Sequence, residues 1–128
     1  MKSSRTKPKL NTIIIGVNDI DKALNFYLNV FQIEVVERKN NYLSAYLDDL
    51  HIEIEEDSEN RFPNWKKHNI GTYKNTEFIV EDINEFIKKV KENGGKVISQ
   101  PTERPWKAIT AEISDLDNNL FLITQNIK

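Results

Sequence analysis

From Ile13 onward the chain sets short apolar bursts between acidic and asparagine-rich breaks, and the bursts recur in the same order. IIIGVND (Ile13–Asp19) runs into a stretch whose Ile20, Leu24, Tyr27 and Phe31 fall at i, i+4, i+7 and i+11, one face of a helix. At an offset of 63 residues, TEFIVED (Thr76–Asp82) runs into Ile83, Phe86, Ile87 and Val90 at i, i+3, i+4 and i+7. Val17, Asp19 and Ile20 of the first copy coincide with Val80, Asp82 and Ile83 of the second. Asp19 and Asp82 are the expected N-caps, because a short carboxylate accepts the orphan amide hydrogens of a first helical turn. Glu81 and Asp82 before the second helix and Lys88, Lys89 and Lys91 at its end suit the helix dipole. ENGG then ends it, with Gly94 as the left-handed cap.

Three strand-like segments follow each helix. In the first copy they are IEVVER (33–38), YLSAYLD (42–48) and LHIEIEE (50–56); in the second, KVIS (96–99), AITAEIS (108–114) and LFLIT (120–124). Asn40-Asn41, Asp48-Asp49 and Asp117-Asn118-Asn119 supply turns from residues that tolerate positive φ. The pattern is therefore βαβββ, twice, an α+β protein. The expected organisation is a flexible basic arm over 1–10, a first module over 11–56, a linker over 57–74 containing Pro63 and Gly71, and a second module over 75–125. Alternation puts Ile52 and Ile54 under a helix, leaving His51, Glu53 and Glu55 toward a cleft or solvent. A plainly solvated sheet face is the simpler reading of that trio.

A chain of 128 residues builds one domain with its own core. It has no cysteine, which removes disulfides, thiolate metal sites and cysteine nucleophiles, and only two histidines, His51 and His68, too few for a His-rich metal site. No apolar run nears the roughly 18 residues of a membrane span, and MKSSRTKPK lacks the apolar core of a secretory signal. A cytoplasmic protein is expected. Lys2, Arg5, Lys7 and Lys9 crowd the first nine residues, so the rest is more acidic than the formal net charge of −2. With no basic stripe interleaved with aromatics, nucleic acid and membrane are not expected partners. There is also no G-x-S-x-G elbow, phosphate-cradling glycine loop or H-E-x-x-H.

VNDIDKALNFYLNVF resembles the V-x-D opening, with its following A-x-x-F-Y, of the vicinal oxygen chelate superfamily. This superfamily includes glyoxalase I, extradiol dioxygenases, fosfomycin-resistance enzymes and bleomycin-resistance proteins. VEDINEFIKKVKENGGKV is similar to its second-module helix and glycine exit, and PWKAITAEISDLDNN to its P-W-G…D-P-D-G-N hairpin. Together these cover about Asn11 to Gln125. The resemblance implies tandem βαβββ modules forming a curled mixed sheet around a cleft, with helices on the outer face.

It also implies where a divalent metal would be held, through four side chains, two from each module. The matching positions are Thr12, Glu53, Asn75 and Leu122. Only Glu53 keeps a carboxylate; a hydroxyl, an amide and an isobutyl group do not replace the imidazole and carboxylate such ions need. A shifted site of His51, Glu53 and His68 is the remaining metal alternative. No cofactor is expected, and no catalytic residue is assigned beyond Glu53. Glu53 or Glu77 could serve as a metal-free base if buried, since a desolvated carboxylate holds its proton more tightly. Asn75 and Glu77 would share one face of their strand.

Without metal, the resemblance points to the bleomycin-resistance proteins, dimers whose inter-subunit grooves hold flat, often cationic drugs. Such binding needs aromatic faces and carboxylates. The expected ligand-binding set is Tyr42, Tyr46, Glu53, Trp65, Asn75, Glu77 and Trp106. Each tryptophan taken alone more simply closes the end of a core. The function expected is sequestration of a small aromatic or cationic molecule by a homodimer. The alternatives are a glyoxalase-like lyase or isomerase using Glu53 as base or residual ligand, and a non-catalytic regulatory domain.

Overall fold

Residues 11–56 and 76–127 are described in the computed structural model. Strand β1 (Ile13–Val17) leads into α1 (Ile20–Phe26), which widens into a π-helical turn, Tyr27–Phe31. Then come β2 (Glu34–Lys39), β3 (Tyr42–Leu47) and β4 (Leu50–Glu56). The second repeat gives β5 (Glu77–Ile79), α2 (Ile83–Glu92), β6 (Lys96–Arg104), β7 (Ala108–Ser114) and β8 (Leu120–Asn126). Each repeat makes its own four-stranded sheet, in the orders β1-β4-β3-β2 and β5-β8-β7-β6. The first strand of each repeat pairs in parallel with the last, and the other neighbours are antiparallel. The α+β tandem βαβββ architecture is thus the one the sequence predicts. The arm over 1–10, the linker over 57–74, Asn75, Trp65 and His68 lie outside the described residues.

Local chemistry sets the helix ends. The Asp19 carboxylate accepts from the Lys22 amide at 3.1 Å, and that of Asp82 from the Glu85 amide at 3.1 Å. The last strand of each repeat adds a second cap: Glu56 accepts from the Ile20 amide at 3.1 Å and Gln125 from the Ile83 amide at 2.8 Å. Glu56 is thereby committed to holding α1. Gly94 takes φ +89°, the left-handed cap expected. Gly95 is needed for a different reason, since a Cβ there would sit 2.7 Å from a Val90 methyl and 2.8 Å from both the Phe26 ring and the Ser114 carbonyl.

The first helix does not continue regularly to Phe31. The π turn brings Phe26, Tyr27, Val30 and Phe31 all into the interior, a wider inward face than a regular helix offers, and the left-handed Gln32 closes it. Leu24, expected on the buried stripe, is only half-buried, while Ala23 is buried.

These aromatics join the two repeats. Phe31 meets Phe78 of β5 at a ring-centroid distance of 5.0 Å, Phe86 of α2 at 5.5 Å and Phe121 of β8 at 5.4 Å. Tyr27 packs edge-on to Phe121 at 6.4 Å. From the first sheet Ile15, Val17, Leu43, Ala45, Ile52 and Ile54 point into the same core, and from the second Ala111, Ile113, Phe121 and Ile123. Burying each large aliphatic contributes about 1.5–3 kcal/mol. The helical layer therefore stands between the sheets, and the opposite face of each sheet turns outward, away from the other.

Polar contacts lock this arrangement. The Tyr27 hydroxyl donates to Asp115 Oδ2 at 2.6 Å, deep in the core. The other Asp115 oxygen takes the amides of Asp117 and Asn119, both at 2.9 Å, which shapes the turn before β8. Asn119 Nδ2 reaches the Gly16 carbonyl at 2.9 Å, and Asn18 donates through Nδ2 to Asp117 at 2.7 Å. The acidic turn is a clasp on the β1–α1 junction of the other repeat.

Burial, and then the charge and hydrogen bond of Asp115, push the Tyr27 phenol well above its ordinary value. The unfolded chain ionises first, near pH 10. The stabilisation is therefore complete below that pH and is lost as pH rises beyond it toward the folded value. A Tyr27→Phe variant is expected to lose about 1.5–3 kcal/mol at pH 7 and to show a shallower fall in stability above pH 10. Urea unfolding at both pH values measures this; an unchanged midpoint at pH 7 would show that the clasp is idle.

Candidate functional site

The candidate residues stand on the two outward faces. On the first, register places Tyr42 opposite Glu55, Ser44 opposite Glu53 and Tyr46 opposite His51, and β1 adds Ile14 beside Glu53. His51 is held at both ring nitrogens, Nδ1 against Thr12 Oγ1 and Nε2 against Ser44 Oγ, each at 2.7 Å. A neutral imidazole donates at one nitrogen and accepts at the other, so one hydroxyl accepts from the ring and the other donates to it. Tyr46 lays its ring against His51 at 5.0 Å, tilted by 39°. Glu53, opposite Ser44 and Ile14, is half-buried, and Glu55 is buried. The Tyr42 hydroxyl donates to Glu37 at 3.1 Å. Desolvation first, then Glu37 and Glu53, hold the Tyr42 phenol above its ordinary value, so it remains a neutral donor. The trio His51, Glu53 and Glu55 is not a plainly solvated face.

On the second outward face Glu77 lies opposite Leu122, and Thr110 opposite Thr124. The Thr124 hydroxyl donates to Glu77 Oε2 at 2.7 Å, and Arg104 Nε donates to Thr110 Oγ1 at 2.9 Å. Both threonines are buried, and Glu112 shares their side of the sheet. Trp106 sits in the β6–β7 turn, 67% exposed.

Of the expected ligand-binding set, Tyr42, Tyr46 and Glu53 share the first face, while Glu77 belongs to the second and Trp106 to its rim. The helical layer keeps the two groups apart within one chain. Trp65 and Asn75 lie outside the described residues. Sequence reasoning did not single out Ser44, Arg104, Thr110 or Thr124. The signal for three of them was present: Ser44, Thr110 and Thr124 are outward polar positions in largely apolar strands.

The donors at the described family positions do not fit a divalent metal. Thr12 spends its hydroxyl on His51, and Leu122 offers hydrocarbon where it faces Glu77. His51 could ligate only by giving up a hydroxyl partner. Among the described residues no three His, Asp or Glu side chains gather as a metal-binding group. No helix among them is long and apolar enough to cross a membrane.

The sequence profile of the Glyoxalase/Bleomycin resistance protein/Dioxygenase superfamily matches residues 9–123. A probable lactoylglutathione lyase from Synechocystis sp. is 30% identical over 95 residues, spanning 69% of this chain and 72% of that protein. Among solved structures, a family enzyme from Burkholderia phytofirmans superposes with a TM-score of 0.76 at 18% identity, covering 91% of this chain and 97% of that one. The fosfomycin resistance protein FosX from Listeria monocytogenes gives 0.75 at 20% identity, covering 94% and 95%. TioX from Micromonospora sp. gives 0.67 at 15% identity, covering 94% and 100%. At these identities the structural likenesses speak for the fold.

The donor chemistry predicts that nickel, zinc or manganese at stoichiometric concentration leaves the thermal midpoint unchanged within error. A rise of several degrees with any of them, reversed by chelator, would show a ligand set that the described residues do not supply.

Proposed function

The chain belongs to the Glyoxalase/Bleomycin resistance protein/Dioxygenase superfamily, and on that footing we propose that it is a cytoplasmic, metal-free homodimer that sequesters a small aromatic or cationic molecule. The observation that carries this reading is the tilted Tyr46–His51 ring contact with Glu53 on the same outward face. Rings offer stacking and cation–π surface, and the carboxylate meets positive charge. Tyr42, Glu37 and Glu34 extend the same acidic and aromatic surface across β3 and β2.

The two outward faces support the dimer. A cleft lined by both sheets needs the second sheet of another copy, because the helical layer divides the sheets within one chain. The strand edges are consistent with this. The outer strands β2 and β6 carry register shifts and charged residues, the usual guards of a free edge. The opposite edges, β1 and β5, carry no such shifts; they expose Ile14 at 54% and Ile79 at 67%, though β2 and β6 also expose Val36 and Ile98.

A glyoxalase-like lyase or isomerase is the second reading, favoured by the likeness to the probable lactoylglutathione lyase. Glu53 would be its base or residual metal ligand. Against it stand Leu122 and the engaged Thr12 hydroxyl, which leave Glu53 without the partners that metal chemistry requires.

Rhodamine 123, a planar aromatic cation, is expected to bind saturably, read by dye anisotropy and tryptophan quenching. Glu53→Gln should weaken it about tenfold, the value of one charge-assisted contact. Light scattering should give twice the chain mass. A monomer that binds no dye would sink the proposal, and turnover of S-lactoylglutathione that is lost in Glu53→Gln would favour the lyase.

A further inference from the structure

On the second outward face Arg104 keeps most of its donors unspent. Arg104 uses Nε on Thr110, and among the described residues neither of its Nη groups has a hydrogen-bond or ion-pair partner. Since Thr110 Oγ1 accepts from Arg104, its own proton is left to donate. Thr110 is buried, so this hydroxyl lies at the floor of the face with the guanidinium above it. We propose that Arg104 and Thr110 form an anion-binding subsite for a carboxylate, phosphate or phosphonate group on the ligand.

The arrangement of the face gives the subsite its direction. Thr124, opposite Thr110, donates its proton to Glu77, so the row of side chains across the sheet divides in the middle. A carboxylate lies at the β5 end and a guanidinium at the β6 end, on strands about 14 Å apart for the order β5-β8-β7-β6. The guanidinium fork matches a two-oxygen anion and the Thr110 hydroxyl adds a further donor. Glu77 on the same face, and the acidic Glu112 beside it, lower the affinity for a simple anion without abolishing it. They favour a molecule that carries both charges, an aromatic zwitterion rather than a plain cation. This selectivity rests on the binding reading above; the anion subsite itself does not.

Two measurements separate them. In the first, inorganic phosphate and acetate are titrated against 15N-labelled protein. A saturable shift of the Arg104 Nε resonance is expected with at least one anion, and phosphate over acetate would identify the tetrahedral group. No saturable shift with either overturns the subsite, whatever the dyes do. In the second, rhodamine 110, which carries a free carboxylate, is compared with rhodamine 123, its methyl ester. Rhodamine 110 is expected to bind about tenfold to a hundredfold tighter. Arg104→Gln should erase that preference and leave rhodamine 123 unchanged, with Arg104→Lys keeping part of it. Equal binding of the two dyes by the wild-type protein overturns the preference for a zwitterion while sparing the binding reading. A phosphate shift with neither dye bound upholds the subsite and removes the aromatic binding function.

Discussion

The Tyr27 hydroxyl and the Asp115 carboxylate meet in the centre of the molecule, and the relation between the two repeats depends on that contact. A buried carboxylate is costly unless its oxygens are satisfied. Asp115 meets that requirement with one oxygen on its own turn and the other shared between Asn119 and a residue of the first repeat. The turn shapes itself through one oxygen of Asp115, and Tyr27 ties the other to the first repeat. Asn119 and Asp117 then carry the same clasp outward to Gly16 and Asn18. Around this polar centre the phenylalanines form an apolar shell, which excludes water and strengthens the bond it surrounds.

Joining the repeats through their helices fixes what the sheets can do. Each sheet spends one face on the common core and keeps the other outside it. Those free faces differ in chemistry although they arise from the same repeat. The first carries rings, a clamped imidazole and carboxylates; the second carries buried threonines between an acid and an arginine. A ligand that touched both would meet opposite charge at different ends. With Leu122 apolar and the Thr12 hydroxyl engaged, no three His, Asp or Glu side chains gather among the described residues.

Much of the fold is written locally and was therefore readable. Asp19 and Asp82 cap helices through amides three residues away, Gly94 turns the chain with its own φ, and the alternation in LHIEIEE sorts Ile52 and Ile54 from His51, Glu53 and Glu55. What escaped depends on partners distant in sequence. Tyr27 reads as an ordinary member of a helical stripe until Asp115 is beside it. The π turn follows from fitting Phe26, Tyr27, Val30 and Phe31 into one core, which no helical periodicity announces. Gly95 resembles a spare glycine until Phe26 and Ser114 crowd it. In the site, Thr12, Glu53 and Leu122 could be placed by resemblance. The clamp on His51 and the Arg104–Thr110 pair needed the register of neighbouring strands.

The aromatic layer also dictates an order of events. Tyr27 and Asp115 are 88 residues apart, so the ring cluster closes only after nearly the whole chain is available. Until then the first repeat presents Tyr27 and Phe31 without the second-repeat rings that complete their packing. During synthesis this leaves a sticky half-molecule waiting for its second half, and at high concentration the half offered first can come from a neighbour. Long-range closure of this kind slows folding. The chain gains a single undivided core, and with it a period of vulnerability that a protein of two self-sufficient halves would not have.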